Sequence, residues 1–213
     1  MITAWGQMRT YVLDFLFPPR CAGCGAHGTP LCPTCVAAVE RYPAPRAGET
    51  VAALVFTGTT RACIHALKYD GQRRYAAILA TLARPALAYL LPPPDAFVPV
   101  PLAPARERAR GFNQATLIAD ALAAPLGWTV QPRWLTRVRE TPPQIGQDRA
   151  ARRANVAGAF VADAAVRGQH LCLVDDVTTT GATLNACTAA LWAVGAASVR
   201  AFVIARPEMN RDG

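Results

Sequence analysis

The chain has 213 residues, 52% of them hydrophobic, and a net charge of +8. That length suits one α/β domain with a small appendage, and the apolar fraction supports a packed core. No run of about 18 uncharged apolar residues occurs, which predicts no membrane span, and a basic balance points to anionic partners such as nucleotide phosphates or nucleic acid, while also fitting simple solubility.

The cysteines exclude a disulfide framework. There are seven, at 21, 24, 32, 35, 63, 172 and 187, and an odd number with four in two Cys-x-x-Cys pairs favours a metal site. A reducing cytoplasm is the expected compartment. The N-terminus does not read as a signal peptide: Asp14 interrupts its apolar run, and no small-residue cleavage site precedes Phe17-Pro18-Pro19.

In chain order, residues 3 to 16 predict a short amphipathic helix with Trp5, Met8, Val12, Phe15 and Leu16 on one side. Only Arg9 gives it positive charge, so docking on the protein's own core is favoured over a membrane surface. Pro18-Pro19 ends it. Cys21-Ala-Gly-Cys24 and Cys32-Pro-Thr-Cys35 then form two knuckles separated by seven residues. Cys21, Cys24, Cys32 and Cys35 suit one tetrahedral Zn²⁺, and four thiolates leave no open position, so this zinc is expected to be structural or an interaction platform rather than catalytic. A redox pair is the competing reading, and His27 is a substitute ligand. Residues 40 to 50, with Pro43, Pro45 and Gly48, read as a linker. The expected division is therefore residues 1–45 as helix plus zinc module and residues 46–213 as the main domain.

Val51 to Phe56 predicts the first strand of that domain, and Arg61 to Tyr69 a helix with Cys63, Ile64 and Leu67 inward. Lys68 is the only lysine in the chain. A lysine is a compact charge that titrates when buried, so the exception is a candidate functional group. Arg73 to Leu91 predicts a helix broken near Pro85, and Ala96 to Val100 a strand. The Arg-rich stretch Arg106 to Gln114 follows as a polar loop, with an exposed-looking Phe112, before a helix on Ala115, Ile118, Ala119 and Leu122. Arg133 to Val138 predicts a strand, Arg139 to Gln144 a mobile loop, and Gln147 to Asn155 a basic helix. Trp128 and Trp134 are candidates for base stacking but more readily core. Ser198 to Ala205 predicts the last strand.

The most informative stretch is Leu171 to Leu184. Leu171 to Val174 reads as a buried strand. Asp175 and Asp176 follow, then Thr178, Thr179, Thr180, Gly181, Ala182 and Thr183. From Leu184 the spacing turns helical, with Leu184, Cys187, Leu191 and Val194 on one face. A tight loop at a helix N-terminus offers N–H groups and a favourable dipole to a phosphate, and the hydroxyls add donors. Two carboxylates would repel phosphate but accept from sugar hydroxyls. A phosphate cup beside a diol clamp describes a ribose 5-phosphate site. Walker and dinucleotide glycine motifs are absent.

Val174-Asp-Asp-Val-Thr-Thr-Thr-Gly-Ala-Thr183 resembles the phosphoribosyl pyrophosphate (PRPP) loop of type I phosphoribosyltransferases. The order of further motifs is more specific. The paired Cys-x-x-Cys, Leu67 to Gly71, Val98 to Leu102, Arg106, Arg110 to Gln114, Arg137 to Gln144, Arg153-x-Asn155 and this loop together resemble the ComF competence-protein family, also called ComFC- or GntX-like, over nearly the whole chain. The resemblance implies a mostly parallel, phosphoribosyltransferase-like α/β sheet flanked by helices, preceded by a small zinc-ribbon-like module of four cysteines, and a link to DNA uptake in natural transformation. By analogy, Asp175 and Asp176 hold ribose and residues 178–183 the 5-phosphate. Mg²⁺ bridges ribose and pyrophosphate, and Lys68, Arg106 and Arg110 neutralise the leaving group. Thr179 stands where purine-salvage relatives place an aspartate near the nucleobase, which argues against oxopurine salvage. Three functions stay open: a phosphoribosyltransferase with an unknown acceptor, a single-stranded-DNA-binding module using Arg149, Arg152, Arg153 and the zinc module, and a PRPP- or nucleotide-sensing regulator. Competence-machinery proteins are further expected partners.

Overall fold

A computed structural model describes residues 18–139 and 158–208. The predicted helices at 3–16 and 147–155, with Arg149, Arg152 and Arg153, lie outside the described residues.

The sequence Val51–Val55 forms β1, and all five residues are buried. Helices α2 (Gly58–Lys68) and α3 (Arg74–Ala83) follow. The chain then tightens into a 3₁₀ turn, Arg84–Leu90, with Pro85 in its first turn. This is the expected break, since a proline supplies no N–H to continue the α-helical ladder. Next come β2 (Ala96–Pro99), α4 (Pro104–Arg110) and α5 (Gln114–Ala123). A two-stranded antiparallel ribbon, β3 (Leu135–Arg137) with β4 (Phe160–Ala162), precedes β5 (His170–Val177), α6 (Ala182–Ala193) and β6 (Ser198–Arg206). Ahead of β1, the one helix among the described residues is the short α1, Pro33–Ala37.

The main sheet runs β1-β6-β5-β2 with every pair parallel. Parallel sheets are covered on both faces and read as continuous apolar runs. In β5, Leu171, Cys172, Leu173 and Val174 are all fully buried, and the alternation sorts them. Cys172 and Val174 join Leu54, Phe97, Phe202 and Ile204 under α2, α3 and α5. Leu171 and Leu173 join Ala52, Val98 and Val203 with α6 and the β3–β4 ribbon. Cys63 and Cys187 are likewise core residues.

The first core continues into the cysteine module. Cys21, Leu31 and Cys35 pack in the same cluster as Tyr75, Leu67 and Leu79. Tyr75, at 1% exposure, donates its hydroxyl to the Pro30 carbonyl at 3.0 Å. Residues 40–42, read from sequence as the start of a linker, are tied to β1: Tyr42 N–H donates to Ala53, Val55 N–H to Glu40, and Arg41 bridges Leu54. Among the described residues no helix is long and apolar enough to cross a membrane.

Two local readings are corrected. The segment from Arg106 to Arg110 is helical rather than a loop. Pro104 supplies a preset N-terminal turn, Glu107 complements the helix dipole, and Gly111, at φ +77°, closes it. Phe112 is buried, because the Arg73 guanidinium lies over its ring at 4.8 Å from the centroid. Sequence periodicity cannot show a lid supplied from a distant turn. Trp128 and Trp134 are half-buried and pack on the two cores, Trp128 edge-on to Phe97.

Candidate functional site

The acidic pair lies within β5, just beyond the predicted strand end. Thr178 N–H still donates to Ala205 of β6 at 3.3 Å. The chain then leaves the sheet through Thr179 and Thr180 and enters α6 at Gly181. Gly181 sits at φ +74°, a left-handed conformation that costs an L side chain about 1–2 kcal/mol. The Thr180 hydroxyl accepts from Ala182 N–H at 3.4 Å. Thr178 and Ala182 are buried, Thr180, Gly181 and Thr183 half-buried, and Thr179 exposed.

Backbone amides orient both carboxylates. Asp175 Oδ1 accepts from Asp176 N–H, and Asp176 Oδ1 from Val177 N–H, each at 2.8 Å. The Asp176 side chain is 3% exposed, and its Oδ2 lies 2.5 Å from Lys68 Nζ. That oxygen accepts no directed hydrogen bond; the contact is an ion pair with the ammonium. Burial pushes the Asp175 carboxyl well above the usual carboxylate range, Asp176 adds to the shift, and Lys68 opposes it. At Lys68, burial favours loss of the proton, yet the Asp176 and Asp175 carboxylates win and raise its pKa above the ordinary value.

The end of β2 completes this edge. Val100 N–H donates to Val174 at 2.9 Å. Asn113 caps α5 by accepting from Ala115 N–H, and its amide donates to the Val100 carbonyl at 3.0 Å. So α4, carrying Arg106 and Arg110, starts at the carboxyl edge of the strand that neighbours β5. Arg106 is exposed on that helix. Arg110 is engaged otherwise: its guanidinium donates to the buried Gln114 side-chain oxygen and lies 5.9 Å from the Tyr69 ring centroid. Sequence reasoning missed Arg73, whose Nη2 donates to the Gly111 carbonyl at 2.9 Å. Together with its stack on Phe112, this ties the turn after Lys68 to the α4–α5 corner. The doubled arginine Arg73-Arg74 was the available signal.

The four cysteine sulfurs of the N-terminal module all lie within 4.8 Å of one another. Gly25 N–H turns back to the Cys21 carbonyl at 2.8 Å, closing the first knuckle. A side chain at Gly23 would come within 2.6 Å of Cys35 Sγ. The thiols titrate far apart. Burial opposes ionisation of Cys21, but the backbone amides of Cys32, Cys24 and Gly23 win and lower it to about 6. The hydrogen bond to Cys21, then burial, pushes Cys35 up to about 12. Four thiolates in so small a volume require a divalent cation, and the donor set fits Zn²⁺.

Comparison with known proteins bears on the cysteine module and on the family of the chain. Residues 12–52 match the double zinc ribbon domain. The DNA utilization protein YhgH of Salmonella typhimurium is 33% identical over 195 residues, which are 88% of this chain and 83% of that one. The chain belongs to the family of DNA utilization protein YhgH and competence protein F. Within this family, YhgH of Salmonella typhi is 36% identical over 148 residues, 67% of this chain and 65% of that protein's length. Competence protein F of Haemophilus influenzae is 35% identical over 116 residues, about half of each chain (53% and 51%). Among solved structures, glutamine PRPP amidotransferase of Bacillus subtilis overlaps 63% of this chain and 26% of its own, at 20% identity and a TM-score of 0.40; so distant a likeness carries no argument. The family's expected architecture is present: a parallel sheet flanked by helices, preceded by a zinc-ribbon module of four cysteines.

Proposed function

We propose that the chain binds PRPP with Mg²⁺ at the carboxyl edge of its parallel sheet and serves DNA uptake. The observation that carries the ligand reading is the buried Asp176 carboxylate, held by the chain's lone lysine, beside a threonine-rich loop that opens a twelve-residue helix. Asp175 and Asp176 accept from the ribose hydroxyls. The amides and hydroxyls of residues 178–183 take the 5-phosphate at the positive end of α6. Lys68, Arg106 and Arg110 offset the charge of the departing pyrophosphate. The carboxylates fit a hard divalent cation, since Mg²⁺ takes oxygen ligands. When bound with the ligand, Mg²⁺ supplies charge neutralisation between pyrophosphate and ribose oxygens. In the transfer itself, the bond from ribose C1 to pyrophosphate oxygen breaks through an oxocarbenium-like state, and C1 bonds to an acceptor nucleophile. Thr179 offers no base for an oxopurine acceptor near neutral pH.

A second reading, single-stranded DNA binding, is favoured by the surface around Tyr69. This residue is 69% exposed, with the His65 ring at 4.7 Å and the Arg110 guanidinium on its other contact. Next to it lies a cavity of about 500 Å³ lined by Arg20, Arg61, His65 and Gln72. Exposed aromatics beside cations suit stacked bases and phosphates.

Equilibrium binding separates these readings. The doubly substituted Asp175→Asn, Asp176→Asn chain should keep its circular dichroism spectrum and lose Mg²⁺-dependent PRPP binding. Retained PRPP affinity would remove the site assignment. Tyr69→Ala should instead weaken oligonucleotide binding more than PRPP binding.

A further inference from the structure

Asp176 Oδ1 accepts from the Val177 amide, which fixes the carboxylate and turns Oδ2 toward Lys68. The Lys68 ammonium covers that oxygen at 2.5 Å. Asp175, next in the strand, is also stabilised in its charged form by Lys68. Asp176 is the ion-pair partner of Lys68, and Asp175 feels the same charge at longer range. Lys68 is the last residue of α2, and the turn after it, Tyr69 to Gly71, is exposed. Arg73 fixes the far side of that turn through Gly111 and Phe112. The lysine is thus a four-carbon arm on a stapled base, and its side chain is 20% exposed.

We propose that Lys68 is the resident counter-ion of a cation site at the Asp176 carboxylate. In the ligand-free chain it stands where a divalent cation would sit, and it excludes Mg²⁺ that arrives alone. It yields when the metal arrives bound to an anionic phosphoribosyl ligand. This inference deepens the PRPP reading and rests on it only for the identity of the ligand.

The physical reason is charge. Bare Mg²⁺ approaching Asp176 meets an ammonium already in contact with the carboxylate, and the two cations repel inside a poorly solvated pocket. A metal–phosphoribosyl complex is net anionic. It draws the ammonium away from Asp176, while its ribose hydroxyls supply donors to the freed carboxylate. Metal and ligand then enter together, and the site holds no metal between binding events.

Because the chain contains a single lysine, ¹⁵N- or ¹³C-labelled lysine gives one resonance set, and the wild-type protein can be watched directly. Millimolar Mg²⁺ alone should leave the Lys68 signals unmoved, and Mg²⁺ with PRPP should shift them. In calorimetry, Lys68→Met should bind Mg²⁺ alone at least about tenfold more tightly than wild type, as expected from removing a contacting like charge, and bind PRPP with Mg²⁺ more weakly. Lys68→Arg should keep the exclusion. Lys68 signals that move with Mg²⁺ alone, or a Met variant with wild-type metal affinity, would overturn the proposal. If Mg²⁺ alone leaves Lys68 unmoved and the Met variant gains Mg²⁺ affinity but PRPP never binds, the counter-ion stands and the PRPP reading falls. If PRPP binds while Mg²⁺ alone displaces Lys68 equally well, the reverse holds.

Discussion

The cysteine module and the β5 loop solve one problem in opposite ways. Each gathers like charges that cannot remain together unaided. At Cys21, Cys24, Cys32 and Cys35 the four clustered sulfurs call for a metal ion as the compensating charge. At Asp175 and Asp176 it comes from the chain itself, through Lys68. The difference shows which site is permanent. A cluster closed by four thiolates and an external ion is a structural knot, whereas a cluster closed by a movable side chain can be opened by a ligand.

The largest effect should follow from removing zinc. Because Cys21, Leu31 and Cys35 share a core with Tyr75, Leu67 and Leu79, chelation should loosen α2 and α3 as well as the module. Structural zinc contributes on the order of 10 kcal/mol in isolated fingers, so calorimetry of the chelated chain should show a large fall in Tm. Hydrogen exchange should rise in residues 58–83 too; loss of protection confined to residues 18–42 would mean the module packs without supporting the core.

Breaking the internal pair should cost less. Lys68→Met leaves a buried carboxylate alone, and one-sided removal of a buried partner costs about 3–5 kcal/mol. The double variant Lys68→Met, Asp176→Leu should recover most of that in chemical denaturation, and a double variant as unstable as the single would show that the pair is not what the lysine stabilises. Gly181→Ala should destabilise by about 1–2 kcal/mol from its left-handed backbone and reduce PRPP affinity more than stability. Tyr75→Phe, which deletes the hydrogen bond to Pro30, should cost about 1 kcal/mol. Unchanged stability there would separate the module from the core.

The pH response should be smallest. Asp175 holds its proton more tightly folded than unfolded, because burial raises its pKa. The folded chain then binds more protons than the unfolded one, and stability falls as pH rises from the ordinary carboxylate range to the raised value. Asp175→Asn should flatten that limb of the stability profile, and a variant with the wild-type slope would assign the slope to another group.

Much of both regions was legible in the sequence because local signals sufficed. Cys-x-x-Cys spacing, the apolar run before Asp175, the Thr-Gly loop and the Leu184–Cys187–Leu191 face each report on neighbours within a few residues. The one lysine also stood out, though its contact with Asp176 joins residues far apart in the chain. The misreadings share a cause of that kind. Phe112 is buried by Arg73, whose partner Gly111 lies 38 positions later. Arg106 to Arg110 looked like a loop because its helix has no buried face, so periodicity had nothing to mark. The partner of β3, residues 160–162, is three residues long and too short for an alternation signal. Arg110, expected to meet an incoming ligand, is held meanwhile by Gln114 and Tyr69.

The central claim is that the β5 loop is a phosphoribosyl pyrophosphate site. The most direct test is calorimetric titration of PRPP into the zinc-loaded chain, with Mg²⁺ present and then absent, and with a short single-stranded oligonucleotide as a separate titrant. Saturable PRPP binding that requires Mg²⁺ and disappears in the Asp175→Asn, Asp176→Asn variant is the predicted result. No PRPP binding, alongside salt-sensitive oligonucleotide binding, would contradict it and leave the fold as a nucleic-acid platform.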